Sequence, residues 1–478
     1  MSTVGLNFGS ATSGQGFDVT STVNQIVTNL QAVETPWKTQ LTILQSKDTA
    51  LSNLGTQLST LATDLQNLTD FEGVLANKTG SSSDTNVLEL SSANSTASDG
   101  THAITVEKLA QTSSAASDAV GGSDVLTGSV TFRVGNGQWQ TVHVGDSKTA
   151  ATLSGLSAAV NAAGVGVHAS VLTDADGTER LSLVSQTPGS AGEITIANNS
   201  NHSDSPTTLA DSTAPDKNTG IGLSTIQDGV DAVFTVDGVP LTSPSNTVTN
   251  AIPGVTFQLL SAPESGSSPE VVQVIIANDT SSIESAINTF VSDYNATMKA
   301  ITAQEAKDSS GNPQPLYGTS VLAQLQQGLL SAVSSSFGSS AVNSLISLGI
   351  TASASDDGSI TLDTNSLESA LNNHFDDVVS FFQDSASFGS TFTRTLDALG
   401  NNSAACGAIA LALSEDSSQE TTLNDDVSNQ EALIATQKTN LTSELNQANQ
   451  ILQSIPEQLQ EVNEMYSAIT GYGNNQNG

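Results

Sequence analysis

Two rhythms of apolar residues run along this chain, one at both ends and another between them. From Val23 to Leu68 apolar positions recur every three or four residues: Val23, Ile26, Leu30, Val33, Trp37, Leu41, Leu44, Leu51, Leu54, Leu58, Leu61, Leu65 and Leu68. The spacing returns near the other end at Leu441, Leu445, Ala448, Leu452, Ile455, Leu459, Val462, Tyr466 and Ile469. A stripe this narrow needs a partner helix, because an apolar seam is unstable alone in water. The terminal seams are each other's natural partners, which predicts a coiled-coil stalk built from both ends.

The first helix is expected from Asp18 or Thr20 to Glu34. Thr35-Pro36-Trp37 then predicts a new start, with Thr35 as N-cap and Pro36 at the first helical position. The second helix continues to about Leu68. Val19–Val33 is matched here to Gln458–Ile469, and both outer segments are expected to order on assembly. The last helices are expected from about Ser418 to Ile469, with Pro456 kinking the run or removing a backbone hydrogen bond.

After Asp70 the period falls to two. Strands are predicted at Val87–Leu90, His102–Val106, Val130–Val134, Thr141–Val144, Val165–Leu172, Arg180–Val184 and Gly192–Ala197. Further strands are predicted at Ala232–Val236, Val239–Leu241, Gly254–Leu260 and Val271–Ala277. Gly135-Asn136-Gly137, Asp174–Gly177 and Asp237-Gly238 read as hairpin turns. Thr149–Ala163 reads as a short helix and Ser200–Thr219 as a polar loop. Helical spacing resumes at Ser282 and again from Val321 to Val333. Ile360–Leu362 is a strand, followed by short helices at Ser366–Leu371 and Asp376–Phe382.

The expected fold class is α+β and multidomain, with a terminal helical stalk, a helical domain and two inserted β-rich head domains. The expected segments are an N-terminal leg at 1–35, a helical domain at 36–76 with 279–440, and a C-terminal leg helix and tail at 441–478. The β-rich head covers 77–116 with 229–278, and an outer head is inserted at 117–228. Leu51, Leu54, Leu58, Leu61, Leu65, Leu441 and Leu445 are the expected helical-core seam. Val23, Ile26, Leu30, Val33, Leu459, Val462, Tyr466 and Ile469 are the expected leg contacts, made to other subunits or to the filament.

Composition narrows the partners. Against 12 basic residues stand 48 acidic ones, a net charge of −36. Phosphate backbones and anionic lipid repel such a surface, so nucleic acid is a poor partner. No stretch approaches the length of a membrane span, so no membrane insertion is expected. Met1–Gly16 and Gly471–Gly478 are polar, Gly-containing tails expected to be disordered. The first carries neither the basic nor the apolar region of a Sec-type signal. Cys406, the single cysteine, excludes an intrachain disulfide and has no cationic neighbour in sequence to activate it.

Candidate chemistry is sparse. His102, His143, His168, His202 and His374 lie apart, none at ligand spacing to another His or Cys. Asp174-Ala175-Asp176-Gly177 resembles the start of a calcium loop but lacks the glutamate at loop position twelve. A hairpin tip accounts for it, as for Asp237-Gly238 and Asp356-Asp357-Gly358. No nucleophile elbow, phosphate loop or dinucleotide fingerprint occurs. The expectation is a chain that is not an enzyme and needs no cofactor. The competing reading is a secreted adhesin that binds through the Ser/Thr/Asn-rich loops of Ser117–Gly229.

Several stretches resemble the family of bacterial flagellar filament caps, also called hook-associated protein 2. Gly16-Phe17-Asp18-Val19 followed by Val23, Ile26 and Val27 resembles the family's opening, and Pro36 sits at a family proline. Ile104–Ser117, Asp231–Gly238, Ala251–Thr256, Ile287–Ala296, Leu316–Leu325 and Leu348–Leu362, through Phe381-Phe382, continue the resemblance in order. Pro456 and the polar tail depart from the family's usual ending. The resemblance implies a homo-oligomer between tetramer and hexamer, with a pentamer favoured, at the distal tip of the flagellum. It implies flagellin, hook–filament junction proteins and a cytoplasmic export chaperone as partners. It also implies export through the flagellar type III channel without a cleaved signal, and retention of exported flagellin while it folds and polymerises.

Overall fold

The computed structural model describes residues 16–145, 149–197, 207–211, 221–264, 267–354, 357–400, 402 and 406–470. The expected tails at 1–15 and 471–478, most of the expected loop at 200–219, His202 and Asp356 lie outside the described residues. The chain divides into two compact units, 1–69 with 284–478 and 70–283.

Helix α1 (Val19–Gln31) begins at Asp18, whose side chain accepts from the Ser21 amide at 3.1 Å. A turn over 32–34 separates it from α2 (Thr35–Thr69). The expected break is present, but Thr35 is already helical. The Lys38 amide donates to the Glu34 carbonyl at 2.9 Å, so Glu34 occupies the flanking position expected for Thr35. Pro36 still falls in the first turn, where its missing N–H costs nothing. Leu51, Leu54, Leu58, Leu61, Leu65 and Leu68 are all buried on one face of α2.

The β unit opens with β1 (Lys78–Ser82), β2 (Leu88–Ala93), β3 (Gly100–Lys108), β4 (Ser114–Ser117), β5 (Val120–Gly121), β6 (Leu126–Val134) and β7 (Gln140–Val144). Helix α3 follows at Leu153–Ala163, later than expected. Thr152 caps it by accepting from the Gly155 amide, and residues 146–148 are not described. Next come β8 (Val167–Thr173), β9 (Thr178–Ser185), β10 (Ile194–Ile196), β11 (Ala210–Asp211) and β12 (Leu223–Gln227). The unit closes with β13 (Ala232–Val236), β14 (Val239–Ser243), β15 (Thr247–Thr249), β16 (Val255–Leu259) and β17 (Val271–Asn278).

These strands surround two cores. One five-stranded sheet has the order β1-β17-β3-β13-β14, and a three-stranded sheet has the order β15-β16-β2. Their facing residues, including Ile104, Phe234, Phe257, Val272 and Val274, form one cluster. Phe234 and Phe257 meet edge to face at 5.9 Å. The second cluster takes Val130 and Phe132 from β6, Leu156 and Val160 from α3, and Leu181 and Leu183 from β9. Asp237 (φ 53°) and Gly238 (φ 80°) turn β13 into β14 with positive φ at both positions, as a two-residue hairpin of this hand requires.

In the helical unit α4 (Thr280–Gln304) is followed by α5 (Ser320–Val333), β18 (Ile350–Ala352), β19 (Ile360–Leu362), α6 (Thr364–Asn373), α7 (Phe375–Gln383) and α8 (Phe388–Leu399). Helix α8 is absent from the sequence expectation. Its Phe388 stacks on Phe381 of α7 at 5.0 Å and meets Phe392 at 5.2 Å, while Phe290 of α4 joins edge to face. Aromatic residues are scarce in this chain (4%), and the helical core gathers much of that supply. A Cβ on Gly389 would collide with the Phe382 carbonyl, so the close approach of α8 to α7 requires glycine there.

The last helix, α9 (Ala408–Thr470), is a single element of 63 residues. It starts ten residues before the expected Ser418. Pro456 lies inside it without ending it, at the loss of one amide donor toward the preceding turn. Leu441 and Leu445, expected in the core seam, are half-buried.

Candidate functional site: the terminal helices

The terminal helices carry the residues singled out in the sequence, and both lie in the helical unit. Helix α9 packs on α2 and on α1. Three contacts give its direction. The Phe17 amide donates to Asn449 Oδ1 at 2.9 Å, Lys38 Nζ reaches Glu431 Oε1 at 3.1 Å, and Asp48 meets Asp416 and Glu420. Numbers rise along one strand of contacts as they fall along the other, so the pairing is antiparallel.

Lys38 pins the turn between α1 and α2. Its ammonium sits 2.7 Å from Glu34 Oε2 as well as 3.1 Å from Glu431, and the Glu34 hydrogen bond is the main force holding its pKa above the usual lysine value. Glu34 itself is 2% exposed, and its other oxygen, Oε1, has no hydrogen-bond partner. A buried carboxylate of this kind persists only with a counter-charge. The exposed lysine therefore fixes the bend through a buried partner.

The leg residues separate into two groups. On α1, Val23 is 2% exposed and Ile26 and Leu30 are half-buried, while Val33, in the turn that follows, is exposed. On α9, Leu459, Val462, Tyr466 and Ile469 are all exposed, from 45% at Leu459 to 80% at Ile469. The expected match of Val19–Val33 to Gln458–Ile469 is not what forms. Phe17 lies at Asn449, so α1 runs back along the part of α9 before that residue. The remaining residues, 451–470, extend α9 by about 30 Å with no partner helix among the described residues.

Carboxylates face one another along the same bundle. Desolvation, with Asp416 and Glu420 nearby, raises the Asp48 pKa above the ordinary aspartate value. Asp64 on α2 faces Asp293 on α4, and burial followed by this neighbouring carboxylate pushes Asp64 up to about 6. Neither pair could be foreseen from spacing along one helix, because each depends on register between two.

Other candidates resolve into local structure. His102 Nδ1 lies 2.8 Å from Asp237 Oδ2, and Asp237 Oδ1 accepts from the Ala103 amide at 2.9 Å, tying β3 to the β13–β14 turn. Asp176 Oδ1 accepts from the amide and hydroxyl of Thr178 at 2.9 and 2.7 Å, so turn bonding engages that carboxylate. His374 lies 3.7 Å from Asp377; His143 and His168 sit exposed on β7 and β8. Cys406 is exposed just before α9. Among the described residues no group of three or more His, Cys, Asp or Glu is placed to hold a metal ion, and no helix is long and apolar enough to cross a membrane.

Comparison with known proteins points to one family. The model of the flagellar hook-associated protein 2 C-terminus matches residues 229–468, and that of its N-terminus matches residues 15–113. The B-type flagellar hook-associated protein 2 of Pseudomonas aeruginosa is 28% identical over 320 residues, which cover 64% of this chain and 66% of that protein. The flagellar hook-associated protein 2 of Escherichia coli K12 is 25% identical over 371 residues, covering 75% and 76%. In fold, the chain is similar to the crystal structure of the flagellar cap protein FliD D1-D2-D3 domains from Escherichia coli, at a TM-score of 0.56 and 24% identity over 77% of this chain and 99% of that one.

Proposed function

This chain belongs to the flagellar hook-associated protein 2 family, and on that premise we propose that it caps the flagellar filament. It acts as an extracellular homo-oligomer at the filament tip, reached through the flagellar export channel. There it retains exported flagellin and promotes its folding and polymerisation. The observation that carries this reading is the exposed apolar end of α9. Leu459, Val462, Tyr466 and Ile469 form a stripe that a water-facing helix would not keep without a partner.

Physical chemistry suits the stripe to a mobile leg. A helix of this length held by one exposed seam makes a small contact, and small contacts release quickly. A cap that moves aside for each entering subunit requires contacts that let go. The head and legs of neighbouring copies, flagellin, the junction proteins below and an export chaperone are the partners this role calls for.

The test is deletion of the gene, with assay of the medium for unpolymerised flagellin and electron microscopy of the cells. Leaked flagellin with short or missing filaments, restored by the full-length gene, is the expected result. Normal filaments without a leak would overturn the cap and turn attention to adhesion.

A further inference from the structure

The first and last strands of the β unit, β1 and β17, pair antiparallel, with Lys78 opposite Asn278 at the end of the ladder. Side chains on one face of a sheet recur every second residue. Asn278 therefore shares its face with Ile276, Val274 and Val272, which fill the core. Lys78 lies on that same face, and its side chain is only 15% exposed. A lysine set at the margin of an apolar core needs partners for its ammonium.

Two partners meet it. Lys78 Nζ donates to Asn278 Oδ1 at 2.6 Å and to Asp99 Oδ1 at 2.8 Å. Strand β17 lies between β1 and β3, and Gly100 at the start of β3 pairs with Ile276. Asp99, the residue before Gly100, thus comes to the same end of the sheet from the other neighbour of β17. Its side chain is half exposed. The aspartate alone supplies the counter-charge. Asn278 adds something an ion pair does not use, an amide carbon beside an amine. That carbon, Cγ, is one C=O bond of about 1.2 Å beyond Oδ1. A small rotation of the carboxamide brings it within the roughly 3–3.5 Å of a reacting pair.

We propose that Lys78 and Asn278 join covalently through an amide between Nζ and Cγ, with Asp99 carrying the proton. Asp99 takes one proton from the ammonium. The freed lone pair attacks Cγ, the new C–N bond forms, and the carbonyl electrons move onto Oδ1. As they return, the bond from Cγ to Nδ2 breaks. A second Nζ proton passes to Nδ2, which leaves as ammonia, and the proton held by Asp99 follows it as ammonium. The third proton stays on the new amide. Nothing is oxidised or reduced, and no co-reactant is needed. The exposed side of Asp99 gives the ammonia a way out to water.

Free amines and carboxamides do not condense at a useful rate, so the reaction depends on the fold holding the groups together and on a base in contact with the amine. Lys78 and Asn278 are 200 residues apart in sequence, and the bond can form only after the β unit has folded. Once formed, it ties together the strands by which the chain enters and leaves that unit. Tension between the two strands then falls on a covalent bond instead of on a ladder that could unzip from its end. The bond also replaces a largely buried ammonium by a neutral amide, which lowers the cost of its burial.

The test is the intact mass of the purified full chain, followed by digestion and sequencing of the peptides that carry Lys78 and Asn278. Wild type is expected to be lighter than its sequence by one ammonia, with the two peptides joined. Lys78→Arg keeps the charge and is expected to have its full mass. Asn278→Asp is expected to join with loss of one water instead. Asp99→Asn is expected to slow joining by about a hundredfold or more, so that fresh protein keeps its full mass. Circular dichroism verifies that each variant folds, and the wild-type mass decides the matter even where one does not. Wild type at full mass overturns the proposal. So does an ammonia loss that persists in Lys78→Arg, which would come from elsewhere in the chain. Wild type lighter by one water, with Lys78 joined to Asp99, overturns the assignment to Asn278.

Discussion

The side chains of Asp64 on α2 and Asp293 on α4 are electrostatic neighbours inside the helical unit, and Asp64, whose buried Oδ2 has no hydrogen-bond partner, is held up to about 6 by desolvation and by this neighbour. Two carboxylates in contact cannot both ionise without repulsion. The folded chain therefore binds a proton more tightly here than the unfolded chain, whose aspartate stays near 3.8. Stability should rise as pH falls through the window from about 6 toward that ordinary value, and be lower at pH 7. Asp64→Asn removes the repulsion. Because Asp64 keeps partial contact with water, the gain at pH 7 is held to about 1 kcal/mol. Thermal melts should show the variant above wild type at pH 7, with the gap closing near pH 4. Equal melting at both pH values would show that the pair is not strained.

Leu58 and Leu61 sit at the centre of the α2 seam, and Leu61 is fully buried. Leu61→Ala leaves a cavity and should cost about 2–5 kcal/mol. Leu58→Asp buries an unpaired carboxylate and should cost several kcal/mol more than an exposed substitution would. Urea unfolding followed by circular dichroism at 222 nm, the usual helix signal, checks both. A midpoint unchanged in either variant would remove the seam from the core.

Much of this architecture is written in local pattern. Leucines three or four apart mark α2, and Asp237-Gly238 marks its hairpin, because one residue's spacing or φ decides each. Helix α8 had its signal too: Ser387 caps it, and Phe388, Phe392, Leu396 and Leu399 fall on one face. The short β4 and β15 did not, since Ser, Ala and Thr pack there only through their neighbours. The start of α9 was hidden because residues 408–413 alternate alanine with Ile or Leu, a period that does not mark a helix. Register between helices was the least legible feature. A heptad-like seam looks the same after a shift by whole turns, so Val19–Val33 could be matched to Gln458–Ile469 although it packs nearer Asn449. The Asp64–Asp293 contact is hidden for the same reason.

Lys38 offers a second charge test at the turn between α1 and α2. It is the counter-charge for buried Glu34 and reaches Glu431 as well. Lys38→Met should lower the melting temperature by stranding the Glu34 carboxylate. The double variant Lys38→Met/Glu34→Gln should recover most of the loss, because no buried charge remains. The wild-type contribution is present at neutral pH and is lost as pH rises through the raised lysine value. A double variant no better than Lys38→Met would mean that Lys38 acts through packing of its stem.

The two ends of the stalk predict opposite outcomes for fold and function. Leu459, Val462, Tyr466 and Ile469 are exposed, so changing all four to Ser touches no buried packing. Stability of the isolated chain should move by less than about 0.5 kcal/mol per site. If the stripe is the leg that seats the cap, cells carrying this variant should leak flagellin and swim poorly. Ile26→Asp probes the other helix. Ile26 is half-buried beside fully buried Val23, so the carboxylate should loosen α1 from α9 and leave the β unit folded. Swimming in soft agar and flagellin in the medium are the readouts, and circular dichroism separates loss of the leg from loss of the fold. Full motility in the α9 variant would strip the stripe of its function, since an exposed apolar row that can be made polar without consequence has no partner to lose.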